Sequence, residues 1–496
     1  MSGTLTSRER RWLVGLVLLL CAVRLATLGA YPVMDSTESR YAEIARKMLE
    51  TGDWLVPQFD YGVPFWGKPP LSMWLSAASM GVFGVNEFAA RLPSLLAMIG
   101  CGALIGALGA LRGGRDQAVW TLALFAATGL VFVAAGSVMT DPALVLGTTL
   151  SMAGFWVAVH GDERYRRRAA VAFFAGLVVG LLAKGPVTLV LVFVPIVGIT
   201  LWTRSWRIAG QRLPWIAGAL AVALAAGSWY WSAQRASPGF LEYFLVGEHW
   251  KRFVEPGWKG DLYGAAHSQP RGLIWILWIA AALPWSAGAL AHMARAVARR
   301  DRAWRSPRAD PWRVYLALWA MTPMLFFTPA GNILITYVLP GLPAFALLVA
   351  DLWRPEGGAP AGGAAYGALR PRVRTALVAG AAVPALFVAG IVAFHGEFEQ
   401  ERSQKALIGK FAVASDGAAS RLVYFPQRPA SAEFYSRGTA KIAPDVAALL
   451  PYLADPPIDL FAMREQDIAE LPRARQAQLD RVGAYGKYRL FREATP

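Results

Sequence analysis

Several ionisable side chains lie in one polar stretch, residues 31–91, that follows the first apolar segment. They are Asp35, Glu38, Arg40, Tyr41, Glu43, Asp53 and Lys68. A carboxylate can act as a general acid or base, and a fixed cation can stabilise a phosphate leaving group. Two prolines follow Lys68 and keep the backbone extended there, so that Lys68 is held on a stiff support. The stretch is the first candidate for a catalytic loop.

A second set of candidates is spread over the later chain. It contains Asp141, Lys184, Glu248, His249, Lys251, Arg252 and Tyr337, with Trp54, Phe65 and Trp66 in the polar stretch. Three of them have an ordinary structural alternative. Asp141 before a proline is a good helix N-cap, a lysine at a span end can extend to the interface, and His249 can be a hydrogen-bonded loop histidine. Residues 38–49 can form an amphipathic helix lying in lipid headgroups.

The composition places these residues in a membrane protein. The chain has 496 residues, of which 55% are hydrophobic and 17% charged, with a mean hydropathy of +0.38. A soluble domain has about a quarter charged residues. The net charge of +16 comes largely from arginines in short loops, which indicates membrane orientation rather than nucleic-acid binding. The only cysteines, Cys21 and Cys101, lie in apolar runs and exclude a disulfide framework or a cysteine metal site.

The apolar runs predict a polytopic α-helical fold of about 11–13 transmembrane helices. We expect eleven spans, the first retained rather than cleaved, near residues 12–30, 92–111, 118–135, 142–160, 169–183, 186–202, 213–232, 272–293, 312–329, 333–351 and 375–394. The apolar segment 71–83 has about thirteen residues, which suits an interfacial or re-entrant helix.

The basic loops decide whether segment 71–83 crosses the membrane. If it does not cross, the arginine-rich loops 8–11, 112–115, 164–168, 204–212, 295–313 and 354–374 all fall on one side. The positive-inside bias selects that topology, with a cytoplasmic N-terminus. The 31–91 loop and the C-terminus then face outward.

The composition changes near residue 395. We expect a transmembrane domain at 1–395, with its catalytic loop at 31–91, and a small outer α/β domain at 396–496. Residues 421–425 and 458–463 read as strands, and 445–454 and 465–479 as helices. The Gly/Ala-rich segment 357–367 reads as a flexible cytoplasmic connection.

The motif order in the polar loop is specific. The run TESRYAEIARKMLETGDWLVPQFDYGVPFWGKPPLSMWL resembles the first periplasmic loop of the ArnT-like glycosyltransferases, in the GT-C superfamily that includes the protein O-mannosyltransferases. Further matches are TDPAL at Asp141, AKGP at Lys184, EHWKRF at Glu248 and ITYVLPGLPAFALL from Ile335. The resemblance covers nearly all of the membrane region and, more loosely, the outer domain.

The resemblance implies an inverting-type transfer of a sugar from a polyprenyl (undecaprenyl) phosphate to lipid A or another cell-envelope acceptor. The sugar would be an aminoarabinose-like pentose. The implied donor phosphate ligands are Lys68, Arg252, Lys184 and Arg40; the catalytic carboxylates are Asp35, Glu38 and Asp141; and the cavity is lined by Tyr41, Phe65, Glu248, His249 and Tyr337. The implied location is a bacterial inner membrane, with the site and the C-terminal domain periplasmic and the protein monomeric.

Two positions depart from the family pattern. Aligned on Arg40, the first-loop motif Asp-Glu-x-Arg-Tyr places Thr37 where the Asp is expected, so either Asp35 or Glu38 is the first-loop carboxylate. Gly67 stands where an acidic residue often precedes the lysine. A divalent metal site that uses that acid is therefore doubtful.

Other functions remain open at this point. Within the same class, the acceptor can be a protein hydroxyl or a surface polysaccharide. A transporter or lipid flippase is a different class, but the chain shows no inverted repeat and no paired broken helices at mid-membrane. A non-catalytic lipid-binding subunit is a further alternative.

Overall fold

The computed structural model describes residues 5–35, 37–264, 266–298, 310–353, 369–415, 420–453 and 458–493. The chain forms two compact units. The first unit comprises Met1–Ala26, Pro64–Ser72 and Leu92–Leu386, and the second comprises Thr27–Val63, Met73–Arg91 and Phe387–Pro496. The predicted domain boundary near residue 395 stays a prediction. The predicted connection at 357–367 lies outside the described residues, as do parts of the basic loops 295–313 and 354–374.

The described chain is mainly helical. In order, its α-helices are α1 (Ser7–Ala26), α2 (Thr37–Thr51), α3 (Leu71–Phe83), α4 (Glu87–Ala126), α5 (Gly129–Ala134), α6 (Asp141–His160), α7 (Arg166–Lys184), α8 (Val187–Thr203), α9 (Trp206–Arg212), α10 (Trp215–Val222), α11 (Ser228–Ala236), α12 (Phe240–Glu242), α13 (Arg252–Val254), α14 (Leu273–Ala281), α15 (Trp285–Ala298), α16 (Pro311–Phe327), α17 (Leu342–Leu352), α18 (Pro371–Ala393), α19 (His395–Gln400), α20 (Lys405–Ala414), α21 (Ala430–Tyr435), α22 (Val446–Leu449), α23 (Glu465–Ile468) and α24 (Arg473–Gln476).

Shorter helices and strands complete the secondary structure. The 3-10 helices are Glu163–Tyr165, Ile335–Gly341 and Leu450–Leu453, and the π-helices are Ala223–Gly227 and Tyr243–Lys251. The strands are β1 (Gln58–Asp60), β2 (Val63–Pro64), β3 (Leu422–Phe425), β4 (Lys441–Ile442), β5 (Leu460–Arg464), β6 (Leu479–Tyr485) and β7 (Tyr488–Glu493).

The predicted polytopic membrane fold is confirmed, but the number of spans is not. Among the described residues, five helices are long and apolar enough to cross a membrane, or six if the bent pair α14 and α15 is one span. The five include the predicted spans 213–232 and 333–351, as Trp215–Ala236 and Ile335–Leu352, although the first contains a π-helix and the second begins as a 3-10 helix. Other predicted spans are not counted separately: α8 is apolar but has only 17 residues, and the spans at 92–111 and 118–135 lie in the single helix α4. The count of eleven therefore stays a prediction.

Two breaks in the helices can be seen in the backbone. Within α4, Gly113 and Gly114 leave helical geometry, and Gly114 has φ +73°, which only glycine adopts easily. This break separates the two spans predicted at 92–111 and 118–135. Helices α14 and α15 meet at an angle of 115°. Helix α3 has the thirteen residues expected, and its position outside the bilayer core stays a prediction.

Glycines allow helices α6 and α7 of the first unit to pack closely. A Cβ at Gly147 of α6 would lie 2.6 Å from the backbone nitrogen of Gly180 on α7, and one at Gly154 would lie 2.6 Å from the Phe173 nitrogen. The absence of side chains lets the two backbones approach closely, as in small-residue packing of membrane helices. Because α6 begins at Asp141 and α7 ends at Lys184, this antiparallel packing brings those two residues together.

A five-stranded sheet forms the core of the second unit, in the order β4-β3-β5-β7-β6. β3 pairs in parallel with β4 and β5, whereas β7 is antiparallel to β5 and β6. The strands predicted at 421–425 and 458–463 are confirmed as β3 and β5. Every residue of β3 is buried because apolar clusters cover both faces of the sheet.

The predicted helices in this region are shorter than expected. Segment 445–454 contains α22 and a 3-10 helix, with residue 454 outside the described residues. In segment 465–479, Pro472 is the N-cap of α24 and separates it from α23. The β6–β7 hairpin was not predicted, although Gly486 supplies a recognisable tight-turn signal at φ +56°.

Candidate active site

An ion pair joins the start of α6 to the end of α7 in the first unit. The Nζ of Lys184 donates a hydrogen bond to Oδ1 of Asp141 at 2.7 Å. The same ammonium lies 4.7 Å from the centre of the Tyr337 ring, within the range of a cation–π contact. Asp141 is the first residue of α6, whose N-cap is Thr140, and no side-chain hydrogen bond caps the helix. The N-cap alternative for Asp141 is therefore wrong: its carboxylate binds Lys184 at the edge of a cavity.

A second ionic group surrounds Glu248. Its Oε2 accepts a hydrogen bond from Lys68 at 2.8 Å, and both of its oxygens lie 3.0 Å from Nη1 of Arg252. Arg252 also lies 3.3 Å from Asp261, a residue the sequence did not single out. Burial raises the pKa of the Glu248 carboxyl, but the charges of Lys68 and Arg252 outweigh burial and bring that pKa to about 2. Glu248 is thus ionised and holds the two predicted phosphate ligands together.

A π-helix positions Glu248 and His249. Segment Tyr243–Lys251 has the wide i→i+5 geometry that is often found at functional sites. The Nδ1 of His249 lies 2.8 Å from the Phe244 carbonyl oxygen, and its Nε2 lies 3.3 Å from the Lys184 carbonyl oxygen. Burial and the charge of Lys68 lower the pKa of His249, so the ring is neutral near pH 7. The shorter contact assigns its single proton to Nδ1.

Aromatic residues hold the segment that carries Lys68. The Phe65 and Tyr263 rings have centres 4.7 Å apart, and the backbone N–H of Trp66 donates to the Tyr263 hydroxyl at 2.9 Å. The Trp66 indole N–H donates to Ser237 at 2.8 Å. A Cβ at Gly67 would lie 2.8 Å from the Phe65 ring. An acidic side chain at position 67 would therefore require Phe65 to move.

These groups line one cavity of about 200 Å³. Its walls are Lys68, Lys184, Pro186, Val187, Val190, Glu248, His249, Arg252, Phe253, Phe326, Phe327, Asn332 and Tyr337. The structure thus brings together six predicted site residues, with Asp141 paired to one of them. The polar group at one end and the apolar wall formed by proline, valine and phenylalanine side chains suit an anionic head attached to a hydrocarbon chain.

Asn332 is a cavity residue that sequence reasoning missed. Its side-chain oxygen accepts the backbone N–H of His267 at 3.2 Å, which orients the amide. Its Nδ2 is buried and has no hydrogen-bond partner among the described residues. A buried unpaired donor costs about 1–3 kcal/mol, so a ligand that accepts from it would relieve that cost. A single asparagine in a turn gives no sequence signal of a ligand.

The other predicted residues lie in the second unit. Asp35 accepts hydrogen bonds from the Ser39 hydroxyl at 2.6 Å and the Ser431 backbone N–H at 3.0 Å, and also from the Ser431 hydroxyl. Burial raises the pKa of Asp35, while those serine hydrogen bonds and the charge of Arg40 oppose the rise. Half-buried Arg40 and buried Tyr41 are both on α2.

Glu38 has a different partner. Its two carboxylate oxygens accept from the guanidinium of Arg91 at 2.8 and 2.9 Å. Arg91 is fully buried and also donates to backbone carbonyls of Leu28, Tyr31 and Pro32. Glu38 therefore compensates a buried cation that organises residues 28–32. Each first-loop carboxylate has a structural partner within the second unit.

The polar face of α2 is buried, contrary to the surface-helix alternative. Glu43, Arg46 and Lys47 are at most 4% exposed. Arg46 pairs with Glu43 at 2.8 Å, and Lys47 pairs with Glu433 of α21 at 2.8 Å. The helix is amphipathic as expected, but α21 supplies the opposite charge that solvent or lipid headgroups would otherwise provide.

Within the described residues, no group of three or more histidine, cysteine, aspartate or glutamate side chains is arranged to hold a metal ion. Glu248 and Asp261 both pair with Arg252, at 3.0 and 3.3 Å.

Comparison with known proteins shows what the chain is similar to. Residues 12–244 match the family described as dolichyl-phosphate-mannose-protein mannosyltransferase. The chain is 31% identical to the undecaprenyl phosphate-alpha-4-amino-4-deoxy-L-arabinose arabinosyl transferase of Pseudomonas aeruginosa strain UCBPP-PA14, over 69% of this chain and 59% of that protein. The enzyme of the same description from Erwinia tasmaniensis is 31% identical over 63% of this chain and 54% of that protein.

The solved structures decide the fold. ArnT from Cupriavidus metallidurans bound to undecaprenyl phosphate has a TM-score of 0.77 with this chain, at 19% identity, and covers 98% of this chain and 99% of that one. The chain has the same fold as that ArnT. The ligand-free form of the same ArnT gives a TM-score of 0.78, with 99% of this chain and 100% of that one covered. The ArnT-like fold and its multi-pass membrane character therefore agree with the resemblance described above.

The match to ArnT-like sequences is partial in length. The chain spans between 54% and 59% of the two curated relatives named above.

Proposed function

We propose that this ArnT-like chain is a glycosyltransferase that uses a polyprenyl-phosphate sugar, with undecaprenyl phosphate as the carrier. The observation that supports this most directly is the cavity in which Lys68, Arg252 and Lys184 meet an apolar wall. Undecaprenyl phosphate combines an anionic head with a long hydrocarbon chain and therefore matches both parts of that lining. The ArnT structure of the same fold was determined with undecaprenyl phosphate bound.

The donor phosphate is proposed to lie near Lys68 and Arg252, with Lys184 and Arg40 as further predicted cations. The bond between the anomeric carbon and the phosphate oxygen breaks, and its electron pair leaves with the phosphate. Cations at this position stabilise the leaving group more strongly than the intact donor, because negative charge accumulates on it. An oxygen of the acceptor attacks the opposite face of the sugar, which inverts the anomeric configuration.

The carboxylates have proposed roles on the sugar side. Asp141, and either Asp35 or Glu38, would stabilise positive charge on the sugar or remove a proton from a hydroxyl acceptor. If the acceptor is an anionic phosphate, a general base is hardly needed, and the carboxylate would orient the acceptor or a sugar amine. Tyr41, Phe65, Glu248, His249 and Tyr337 are the proposed cavity residues.

The proposed sugar is an aminoarabinose-like pentose and the proposed acceptor is lipid A or another envelope glycan. This follows the name of the curated relatives and the loop motifs, not the lining of the cavity. We propose a bacterial inner-membrane location with a cytoplasmic N-terminus, a periplasmic active site and C-terminal domain, and a monomeric chain.

A second candidate is transfer to protein hydroxyl groups. It is favoured by the match of residues 12–244 to the protein mannosyltransferase family. The same cavity would serve either reaction, because both donors are polyprenyl phosphates. The two candidates differ in the acceptor, and the name of the matched family also implies a different sugar, mannose.

Mass spectrometry of lipid A, surface glycans and envelope proteins, with and without the gene, tests both candidates. A mass difference on lipid A supports the first, and one on a protein supports the second. Complementation with Lys68→Ala should fail, whereas Lys251→Ala should restore the modification because Lys251 is exposed and does not line the cavity. An unchanged set of masses, together with failure of the purified protein to bind undecaprenyl phosphate, would overturn the proposal.

A further inference from the structure

A second cavity lies beside the beginning of α7. Its volume is about 700 Å³, and its lining comes from α7, the end of α9, and the segment that continues from Pro214 through α10 to Ala225. α7 has 19 residues, so its first turn is about 27 Å from Lys184 at its other end. The cavity is therefore a different place from the candidate active site.

The lining has the polarity of a lipid molecule. Arg166, Arg167, Gln211 and Arg212 line the end near the start of α7. The remaining residues of the lining are alanine, valine, glycine, proline and phenylalanine. Cations at one end and an apolar channel beyond them match an anionic headgroup followed by acyl chains.

Chain geometry creates this channel. α9 ends at Arg212 and α10 begins at Trp215, so the two helices are separated at Leu213 and Pro214, and Arg212 lines the same cavity as Arg166 and Arg167. A Cβ at Gly218 would lie 2.1 Å from the Phe174 ring. The ring therefore packs directly against the α10 backbone and forms part of the channel wall.

The mouth of the channel, which is the end lined by Arg166, Arg167, Gln211 and Arg212, carries excess positive charge. Residues 166–168 are all arginine and begin α7, and the first turn of that helix has no acidic residue. Positive charge at a helix N-terminus opposes the helix dipole. Glu163 pairs with Arg166 at 2.8 Å, which leaves excess positive charge from Arg167 and Arg212 at the mouth. Membrane orientation explains arginines in a loop, but not their convergence from two helices on one channel.

We propose that this channel, lined by Arg166, Arg167, Gln211 and Arg212 at its mouth, is a binding site for an anionic glycerophospholipid. The arginines bind the headgroup phosphate and the apolar channel takes acyl chain. In the topology proposed above, this site faces the cytoplasmic leaflet. Lipid binding at this site is independent of the proposed glycosyl transfer, because the bound lipid can be measured without any transfer assay.

Native mass spectrometry of the full chain can test the site, with phosphatidylglycerol and phosphatidylethanolamine added in equal amounts. We expect the wild-type protein to retain phosphatidylglycerol about tenfold more strongly, since each added factor of ten needs only about 1.4 kcal/mol of extra interaction. The double variant Arg167→Gln/Arg212→Gln should lose that preference. Arg207→Gln is the matched control: Arg207 is an exposed α9 residue that lies over Trp206 at 5.0 Å and does not line the channel.

A steric variant separates the channel from general charge. Ala217→Trp fills the lining without changing any arginine, and it should also reduce phosphatidylglycerol retention. If the double arginine variant fails to fold, this variant decides the result. Equal retention of both lipids by wild-type protein, equal losses in the Arg207 control, or full retention in the Ala217 variant would each overturn the proposal.

Discussion

Glu248 accepts a hydrogen bond from Lys68 at 2.8 Å, across a sequence separation of 180 residues. Arg252 approaches the same carboxylate one helical turn later. The cations proposed to hold the donor phosphate therefore already have an anion between them. A phosphate that enters this cavity must compete with Glu248 or share its cations.

The substitution Glu248→Gln should strengthen binding of undecaprenyl phosphate. It removes the competing negative charge and keeps the shape of the side chain. The ligand-free protein should become less stable, because two partly buried cations lose their counter-ion. Ligand titration followed by thermal unfolding would show a larger stabilisation by the ligand in the variant. Weaker binding would mean that Glu248 positions the cations rather than competing with the phosphate.

The same ion pair predicts a dependence of stability on pH. The pKa of Glu248 is lowered from 4.5 to about 2 in the folded protein. Its contribution of about 3 kcal/mol is therefore complete above pH 4.5 and is lost as the pH falls from 4.5 toward 2. Unfolding temperatures measured across that interval should fall less steeply in Glu248→Gln than in the wild type. Parallel curves would contradict the assignment.

Asn332 should contribute to donor binding through its unpaired amide N–H groups. Asn332→Ala should weaken binding of undecaprenyl phosphate about tenfold, the effect of one lost hydrogen bond to a charged group. Asn332→Asp keeps an acceptor for the His267 N–H but places a negative charge in the cavity, so it should weaken binding more than alanine does. Calorimetric or fluorescence titration gives both values. Wild-type affinity in the aspartate variant would exclude contact between Asn332 and the phosphate.

The proposed catalytic role of Asp35 can be tested separately from its contribution to stability. Asp35→Asn removes the charge and retains one acceptor oxygen, and it should abolish sugar transfer if Asp35 is the first-loop carboxylate. Ser431→Ala removes one hydrogen bond to the same carboxylate, and should lower stability by about 1 kcal/mol while transfer continues. Transfer assays and thermal unfolding of both variants distinguish the two effects. Transfer by Asp35→Asn at the wild-type rate would leave Glu38 as the candidate.

The packing of α6 on α7 should be intolerant of a single methyl group. Gly147→Ala places a Cβ 2.6 Å from the Gly180 nitrogen, and should destabilise the protein by about 1–3 kcal/mol. It should also weaken donor binding, because Asp141 and Lys184 rely on this packing. Gly15→Ala on α1 is the control, since among the described residues no atom outside its own helical backbone lies within 4 Å of its Cβ. Similar unfolding temperatures for the two variants would contradict this role of the glycines.

The sequence predicted the helices better than it predicted the contacts. Hydropathy located α6, α7 and α8 to within a few residues, because a long apolar run leaves few other structures. It could not show that Glu248 meets Lys68 or that Asp261 meets Arg252, since those pairs arise from tertiary folding. The family resemblance assigned Lys68, Lys184 and Glu248 to one cavity, and the structure adds which of these side chains pair with each other.

Two other outcomes depended on partners distant in sequence. The surface-helix alternative for α2 was wrong, because Glu43 pairs with Arg46 within the helix and Lys47 pairs with Glu433 of α21. Asp35 was chosen for its proximity to a motif, and its bond to Ser431 spans nearly 400 residues. Local periodicity carries no information about such distant partners.

In the π-helix Tyr243–Lys251, the number of residues determines the orientation of Glu248 and His249 in the candidate active site. One residue added to or removed from an α-helix rotates everything after it by about 100°. A deletion between Tyr243 and Glu248 would therefore turn both Glu248 and His249 away from their present partners, even with every side chain conserved in type. The spacing of these residues should tolerate neither insertion nor deletion, although most connections between membrane helices tolerate both.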